Sequence, residues 1–585
     1  MDLACGSGTL LAAILTDMKR RAKKQGADET KIAELQRVGV EEVIKGMDIN
    51  PVSLQLAAAQ LTAGNRYVRY KGMGLHKMRY GENCSGRCYA GSLELLAQNA
   101  IVAREGELDI PDAEIGSQSV WEQGDNAGLE DAIDAAKDAR IVIMNPPFTN
   151  RTKMGEKFSK EIQQRLRKRV DAMEQNLIVN DHAYEGFMDK NALRPLFVAL
   201  ADKCLGSARG ILTCVTPTTA LSSPSGLYER RLLAQRYHIH TVVSSHQPGN
   251  VNMSQDSDIN ESIIIAARHA GTKPPTRFIR LDKMPADGDE CEDLHRSLLA
   301  CDEGPIASGW GEVSYWPAER MEDGDWSPAV WRSPVLAKAA SVFANSPDLC
   351  AIGECSGVKP HATGQTLRGS FMTADRDTPG AFPILKTSGY KAGQETIQST
   401  PDEWWQTQTR DHTTLNGSRP PEAEQLLQKA GHLLITAGQD SSSARLAATA
   451  DDEKYVGNRW IPVTGLSIEE AKAAAVFINS TPGRLQIMQN VGKKLAFFTF
   501  SAAQAAKLRI ASPKNDRIRG VLSNCFENTK DMIVPQFREG ECEVRRLWDE
   551  AVADAMGWDP EELTRLRHLL HKEPHVRGLG YNQYT

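Results

Sequence analysis

The sequence contains no run of about 18 apolar residues, so no membrane-spanning helix is expected. No basic segment leads into an apolar stretch at the start, so the first residues do not read as a signal peptide. The eleven cysteines show no paired spacing. Cys84 and Cys88 form one C-x3-C with no second pair nearby, so no metal site is expected, and free thiols in a reducing cytoplasm are the better reading. Positive charge is also in short supply. A formal net charge of −6 does not mark a nucleic-acid binder, so any affinity for nucleic acid would have to come from local patches. No nuclease pattern of the P-D-x(n)-E-x-K type stands out. With 585 residues the chain is too long for one core, and about two to four domains are expected.

Three short stretches carry the chemistry. In the first, Asp2 to Leu11, Gly6 and Gly8 lack a Cβ and allow positive φ and close approach of a ligand. Leu10, Leu11, Ile14, Leu15 and Met18 then recur at helical spacing. A glycine turn running into a helix N-terminus can receive a polar ligand, although a G-x-G alone is equally an ordinary tight turn. The dinucleotide pattern G-x-G-x-x-G is missing, because Leu11 stands at the third glycine.

The second stretch is Gly46 to Pro51. Val43-Ile44 read as a short strand with Asp48 at its carboxyl end, where open α/β sheets bind ligands. A carboxylate there can accept both ribose hydroxyls of a nucleoside, with Ile49 against the adenine face. The competing reading is a helix N-cap, for which Asp48, Asn50 and Ser53 all qualify.

The third stretch, Asn145-Pro146-Pro147-Phe148, follows the apolar run Ile141 to Met144. The amine of adenine is a poor nucleophile because its lone pair is delocalised into the ring. Two acceptors, the Asn145 amide oxygen and the Pro146 carbonyl, can each take one N–H and localise that lone pair. Two prolines stiffen the turn beforehand, and Phe148 offers a ring for an extruded base. The alternative is a proline-terminated strand followed by a core aromatic.

In this order the stretches resemble the S-adenosylmethionine (SAM)-dependent amino-methyltransferases that act on adenine in DNA. The likeness is greatest to modification subunits of type I restriction systems and to large fused type II enzymes. It implies SAM as cofactor, with Asp2, Ala4, Cys5, Gly6, Gly8, Thr9, Asp48 and Ile49 around it. Ser92 joins this set because Tyr89 to Leu93 resembles the family's third segment, although Gly91 stands where an acidic residue is usual. The resemblance further implies Asn145, Pro146, Pro147 and Phe148 as catalytic turn, methylation of adenine N6 in double-stranded DNA, no metal, and a restriction or specificity subunit as partner. RNA guanine amines and protein glutamine amides are alternative acceptors for such a motif; a non-catalytic DNA-binding remnant is a second alternative, and a subunit that acts only in complex with a restriction or phage-defence partner is a third. In the family a fuller first strand, a SAM-contacting segment and a helical domain precede the glycine turn. Here only Met1 precedes Asp2, so the methyltransferase domain is expected to be truncated at its N-terminus.

Alternating strands and helices predict an α/β fold over residues 1–270: a doubly wound, mostly parallel Rossmann-like sheet, with the last strands pairing antiparallel at one edge. The basic run Arg151 to Arg169 is either a phosphate-contacting surface or a solvated helix face. Residues 109–138 read as an acidic surface excursion. Residues 271–347 read as a connector. From 348 to 515, short β-like runs and a helix from Ile468 to Asn479 suggest an α+β target-recognition domain. Within it Arg484, Lys493 and Lys494 read as surface residues that can also reach phosphate. Residues 516–585 read as a helical tail, with His568, His571 and His575 as exposed helix residues.

Overall fold

The computed structural model describes residues 1–65, 67–82, 88–97, 117–119, 132, 135–137, 139–185, 192–205, 210–223, 226–254, 259–269, 271–362, 371–385, 394–407, 425, 427–440, 445–457, 459–490, 492–494 and 497–578. Cys84 and most of the acidic excursion lie outside these residues.

Helix α1 (Thr9–Lys24) springs directly from the glycine turn, and strand β1 (Lys45–Asp48) leads to helix α2 (Pro51–Ala63). The strand expected at Val43 starts at Lys45 instead, because a π-helical turn occupies Gly39–Val43. Asn50, not Asp48, caps α2: its Oδ1 accepts the Val52 N–H at 3.0 Å, and Pro51 fills the first helical position, where its missing N–H costs nothing. Asp48 is thereby released from capping.

Next come β2 (Gly74–Met78), the antiparallel pair β3 (Tyr80–Glu82) and β4 (Cys88–Ala90), and β5 (Ser117–Ser119). Strands β1, β2 and β5 form a three-stranded sheet in that order. A second sheet contains β6 (Ile141–Met144), β7 (Ile211–Pro217), β8 (Tyr237–Ser245), β9 (Glu261–Arg268), β10 (Thr276–Leu281), β11 (Gly304–Ile306) and β12 (Gly311–Trp316). Its order is β11-β12-β10-β8-β9-β7-β6.

Met1 and Asp2 join the two sheets. The Asp2 N–H donates to Lys45 O and the Met47 N–H to Asp2 O, both at 2.9 Å. On the other side the Ile143 N–H donates to Met1 O, and the Met1 nitrogen to Ile141 O, again at 2.9 Å. Two residues therefore stand in for a strand between β1 and β6, and they bring the glycine turn beside the end of β6.

The large sheet is mixed, not mostly parallel: β6–β7 and β8–β10 pair parallel, while β7–β9, β8–β9, β10–β12 and β11–β12 pair antiparallel. The antiparallel strand expected at the edge, β9, lies in the interior between β7 and β8. Its Ile263-Ile264-Ile265 run suits a strand bonded on both sides, but an apolar run carries no information on neighbour order. Residues 276–316, expected within a connector, supply three further strands of this sheet.

Packing follows the pleat. Leu3, Met47, Val142 and Met144 belong to one apolar cluster, with residues of helices α3 (Lys160–Asn180) and α4 (Arg194–Cys204). Cys5, Leu11, Leu54, Ala57 and Leu75 form a separate cluster beneath α1 and α2.

In the C-terminal half another seven-stranded sheet includes Gly431–Thr436, Ala448–Gly457 and Trp460–Thr464. Helix Ile468–Asn479 opens with a capping box between Ser467 and Glu470. The helical tail shares this core: Phe526, Trp548 and Leu566 cluster with Ile435 and Phe477. Arg484 is 4% exposed, donates to Arg445 O and lies 4.7 Å from the Phe537 ring, so it is a core residue and not a phosphate contact. His571 is buried against Phe537, whereas His568 is exposed beside Glu541. Among the described residues no helix is long and apolar enough to cross a membrane.

Candidate active site

A cavity of about 380 Å³, within the usual range for small-molecule sites, opens where the glycine turn, the end of β1 and the end of β6 meet. Leu3 and Ala4 form one wall, Asp48 and Ile49 the next, and Ala90 to Leu93 a third. Asn145, Pro147 and Thr149 also line it, together with Tyr80, Lys153, Met154, Gly155, Leu193 and Phe197.

Asp48 fixes the glycine turn. Its Oδ2 accepts the Gly6 N–H at 2.9 Å, and its Oδ1 accepts the Asn50 N–H at 2.8 Å. Gly6 and Gly8 have φ of +52° and +81°, the left-handed region that glycine tolerates. A Cβ on Gly8 would come within 2.7 Å of Ala57 Cβ, so only glycine lets α2 pack this close. Gly91, also at positive φ, meets Ile49 in the same way: an added Cβ would lie 2.7 Å from Ile49 Cγ2. Ile49 is 44% exposed and forms an apolar lip on the cavity.

Asp2 is 1% exposed and its Oδ1 accepts the Ala4 N–H at 3.0 Å. Burial pushes its carboxyl up to about 7, against the lowering effect of that hydrogen bond. Burial also pushes the Cys5 thiol up, aided by the nearby Asp2 and Asp48, so Cys5 packs as a neutral side chain.

Asn145 leaves β6 with its side chain exposed, while Val142 and Met144 anchor the strand at 0% exposure. Its Nδ2 donates to Ser254 Oγ at 3.1 Å. The Ser254 hydroxyl lies 2.8 Å from both oxygens of Glu261, which is 0% exposed.

Of the cofactor residues expected from sequence, Ala4, Asp48, Ile49 and Ser92 line the cavity, whereas Asp2, Cys5, Gly6, Gly8 and Thr9 do not belong to its lining. Ser92 is 3% exposed and its hydroxyl donates to Leu3 O at 2.7 Å, so it also braces the wall. Asn145 and Pro147 line the cavity; Pro146 is buried and Phe148 half-buried, and neither belongs to the lining. Tyr80, Phe197, Ser254 and Glu261 went unnoticed in sequence. A carboxylate opening an Ile-rich buried strand was the available signal for Glu261, since such a group needs partners.

The basic run divides. Arg151 is buried and pairs with Glu174 at 2.6 Å, Arg169 pairs with Glu94 at 2.5 Å, and Arg165 pairs with Glu82. Lys153, Lys157, Lys160 and Lys168 remain exposed beside the cavity rim and along α3.

No protein-family model and no curated protein sequence matches the chain. Among solved structures, it is similar to several restriction–modification enzymes. They include the type IIG restriction endonuclease BpuSI, at 13% identity and a TM-score of 0.38, covering 100% of this chain and 63% of that one. The methyltransferase subunit of a type I system from Streptococcus thermophilus shows 15% identity and a TM-score of 0.31 over 56% of this chain and 52% of that one. The type IIL enzyme MmeI in complex with DNA shows 11% identity and a TM-score of 0.48, over 99% of this chain and 72% of that one. The chain thus spans 63% of BpuSI and about half of the type I subunit.

Proposed function

We propose that the chain is a SAM-dependent methyltransferase acting on the N6 amine of adenine in double-stranded DNA. One observation carries this reading: Asp48 and Asn145, 97 residues apart in sequence, line one cavity. The lining suits SAM, since it combines an acceptor carboxylate, the apolar Ile49 and a wall built on a glycine turn. In this reading Asp48 takes the ribose hydroxyls and Ile49 the adenine face. Bound SAM supplies an electrophilic methyl group.

The chain's own residues prepare the nucleophile. Asn145 Oδ1, in the cavity lining, accepts one N–H of the target amine, and the carbonyl of the adjoining Pro146, which is outside that lining, is assigned the other; together they localise its lone pair. Because those acceptors are fixed beforehand, they stabilise charge that grows on nitrogen during transfer. The proton then leaves to solvent, with no separate base required. The base would be extruded from the duplex to reach the cavity, and Tyr80 or Phe197 is better placed than Phe148 to stack on it. Exposed lysines of the 153–168 segment would meet flanking phosphates. The domain of residues 348–515 would read sequence, with a restriction or specificity subunit as partner.

Incubation of the protein with methyl-labelled SAM and, in parallel, duplex DNA, RNA or a glutamine-bearing release factor, followed by digestion to nucleosides or amino acids, tests this. Label in N6-methyl-2′-deoxyadenosine is the expected result. Label only in RNA guanine or in protein glutamine would overturn the choice of substrate.

A further inference from the structure

We infer that Ser254 and Glu261 are positioning residues that set the direction in which the Asn145 amide points. The inference rests on the catalytic reading of Asn145 given above.

Topology places the three together. Asn145 follows β6, and β7 lies beside β6 in the sheet. Strand β9 runs antiparallel to β7, with Glu261 opposite Pro217. The start of β9 therefore lies at the sheet edge where β6 ends. Glu261, fully buried, accepts the Met253 N–H at 2.6 Å and the Ser254 N–H at 2.7 Å through Oε2. Its two oxygens also receive the Ser254 hydroxyl.

The polarity follows from the donor inventory. A carboxylate only accepts, so the single Ser254 hydroxyl proton is committed to Glu261. Ser254 Oγ is then left with lone pairs and can only accept from Asn145. The Asn145 atom at 3.1 Å must be the amine Nδ2, and Oδ1 is held as the acceptor for substrate. Without this chain the amide can rotate by half a turn and present N–H groups to an amine that needs an acceptor.

Three variants test it. Ser254→Ala removes the link and lowers kcat for DNA methylation by about 10²-fold, the scale of a misplaced catalytic group, with SAM affinity by calorimetry unchanged. Ser254→Thr keeps the hydroxyl and restores kcat. Glu261→Gln keeps the volume, but its Oε1 must serve the two backbone N–H groups, so its amine faces Ser254 and reverses the chain; kcat falls as in Ser254→Ala. The readout independent of turnover is the side-chain amide signal of Asn145 in asparagine-labelled protein, assigned by its loss in Asn145→Ala. It moves in Ser254→Ala and Glu261→Gln and returns in Ser254→Thr. An unmoved signal, or full kcat in Ser254→Ala, overturns the inference. Absence of methyl transfer by the unaltered protein would sink the methyltransferase reading alone, because the amide signal still reports the relay.

Discussion

The carboxylate of Asp48 and the backbone of Gly6, 42 residues apart, are joined by a 2.9 Å hydrogen bond. One side chain thus shapes the glycine turn and faces the cavity. Asp48→Ala removes both functions at once. SAM binding weakens by about 1–3 kcal/mol, the range for lost hydrogen bonds to a charged group. Calorimetric titration measures this, and an unchanged Kd would remove Asp48 from the cofactor site.

The two glycines of the turn respond differently. Gly6→Ala meets nothing within 4 Å and only strains a left-handed φ, whereas Gly8→Ala adds a 2.7 Å clash with Ala57. Gly6→Ala costs about 1–2 kcal/mol. Gly8→Ala adds about 1–3 kcal/mol of overpacking. Urea unfolding of both variants checks the order, and equal losses would contradict it.

Asp2 gives the pH dependence a sign. Its ordinary value is 3.8 and burial raises it to about 7, so between those values the folded protein holds a proton that the unfolded chain has released. The associated stability is fully present below the lower value and is lost as pH rises through the upper. Asp2→Asn lacks this loss. The variant's stability relative to the parent therefore rises across that window and levels off above it. Denaturant titrations at a series of pH values read the difference, and a constant gap would contradict the burial argument.

Much of this site was legible because its signals are local. The glycine turn, the acid ending β1 and the double-proline corner each announce themselves within a few residues. What sequence could not reach was relational. Ser254 and Glu261 matter through β9, whose interior position no periodicity encodes. The three strands beyond Pro275 were hidden by turns and tryptophans that read as a connector. Arg151 looked like a phosphate contact because charge patterning cannot reveal that Glu174 lies beneath it.

That last point separates two kinds of basic residue. Arg151→Ala strands the buried Glu174 and destabilises the fold by about 3–5 kcal/mol. Lys157→Ala and Lys168→Ala leave stability unchanged. If these lysines touch DNA phosphates, each substitution makes the negative slope of log K against log salt shallower by about 0.9. Thermal melts and salt-dependent DNA binding distinguish the two; an unchanged slope would remove the lysines from the DNA surface.

The most direct measurement is methyl transfer to adenine N6 by Asn145→Ala, made alongside calorimetry with SAM. Transfer falls to background while SAM affinity and the melting temperature stay at parental values. Full transfer by this variant would contradict the assignment of Asn145 as the acceptor that activates the amine.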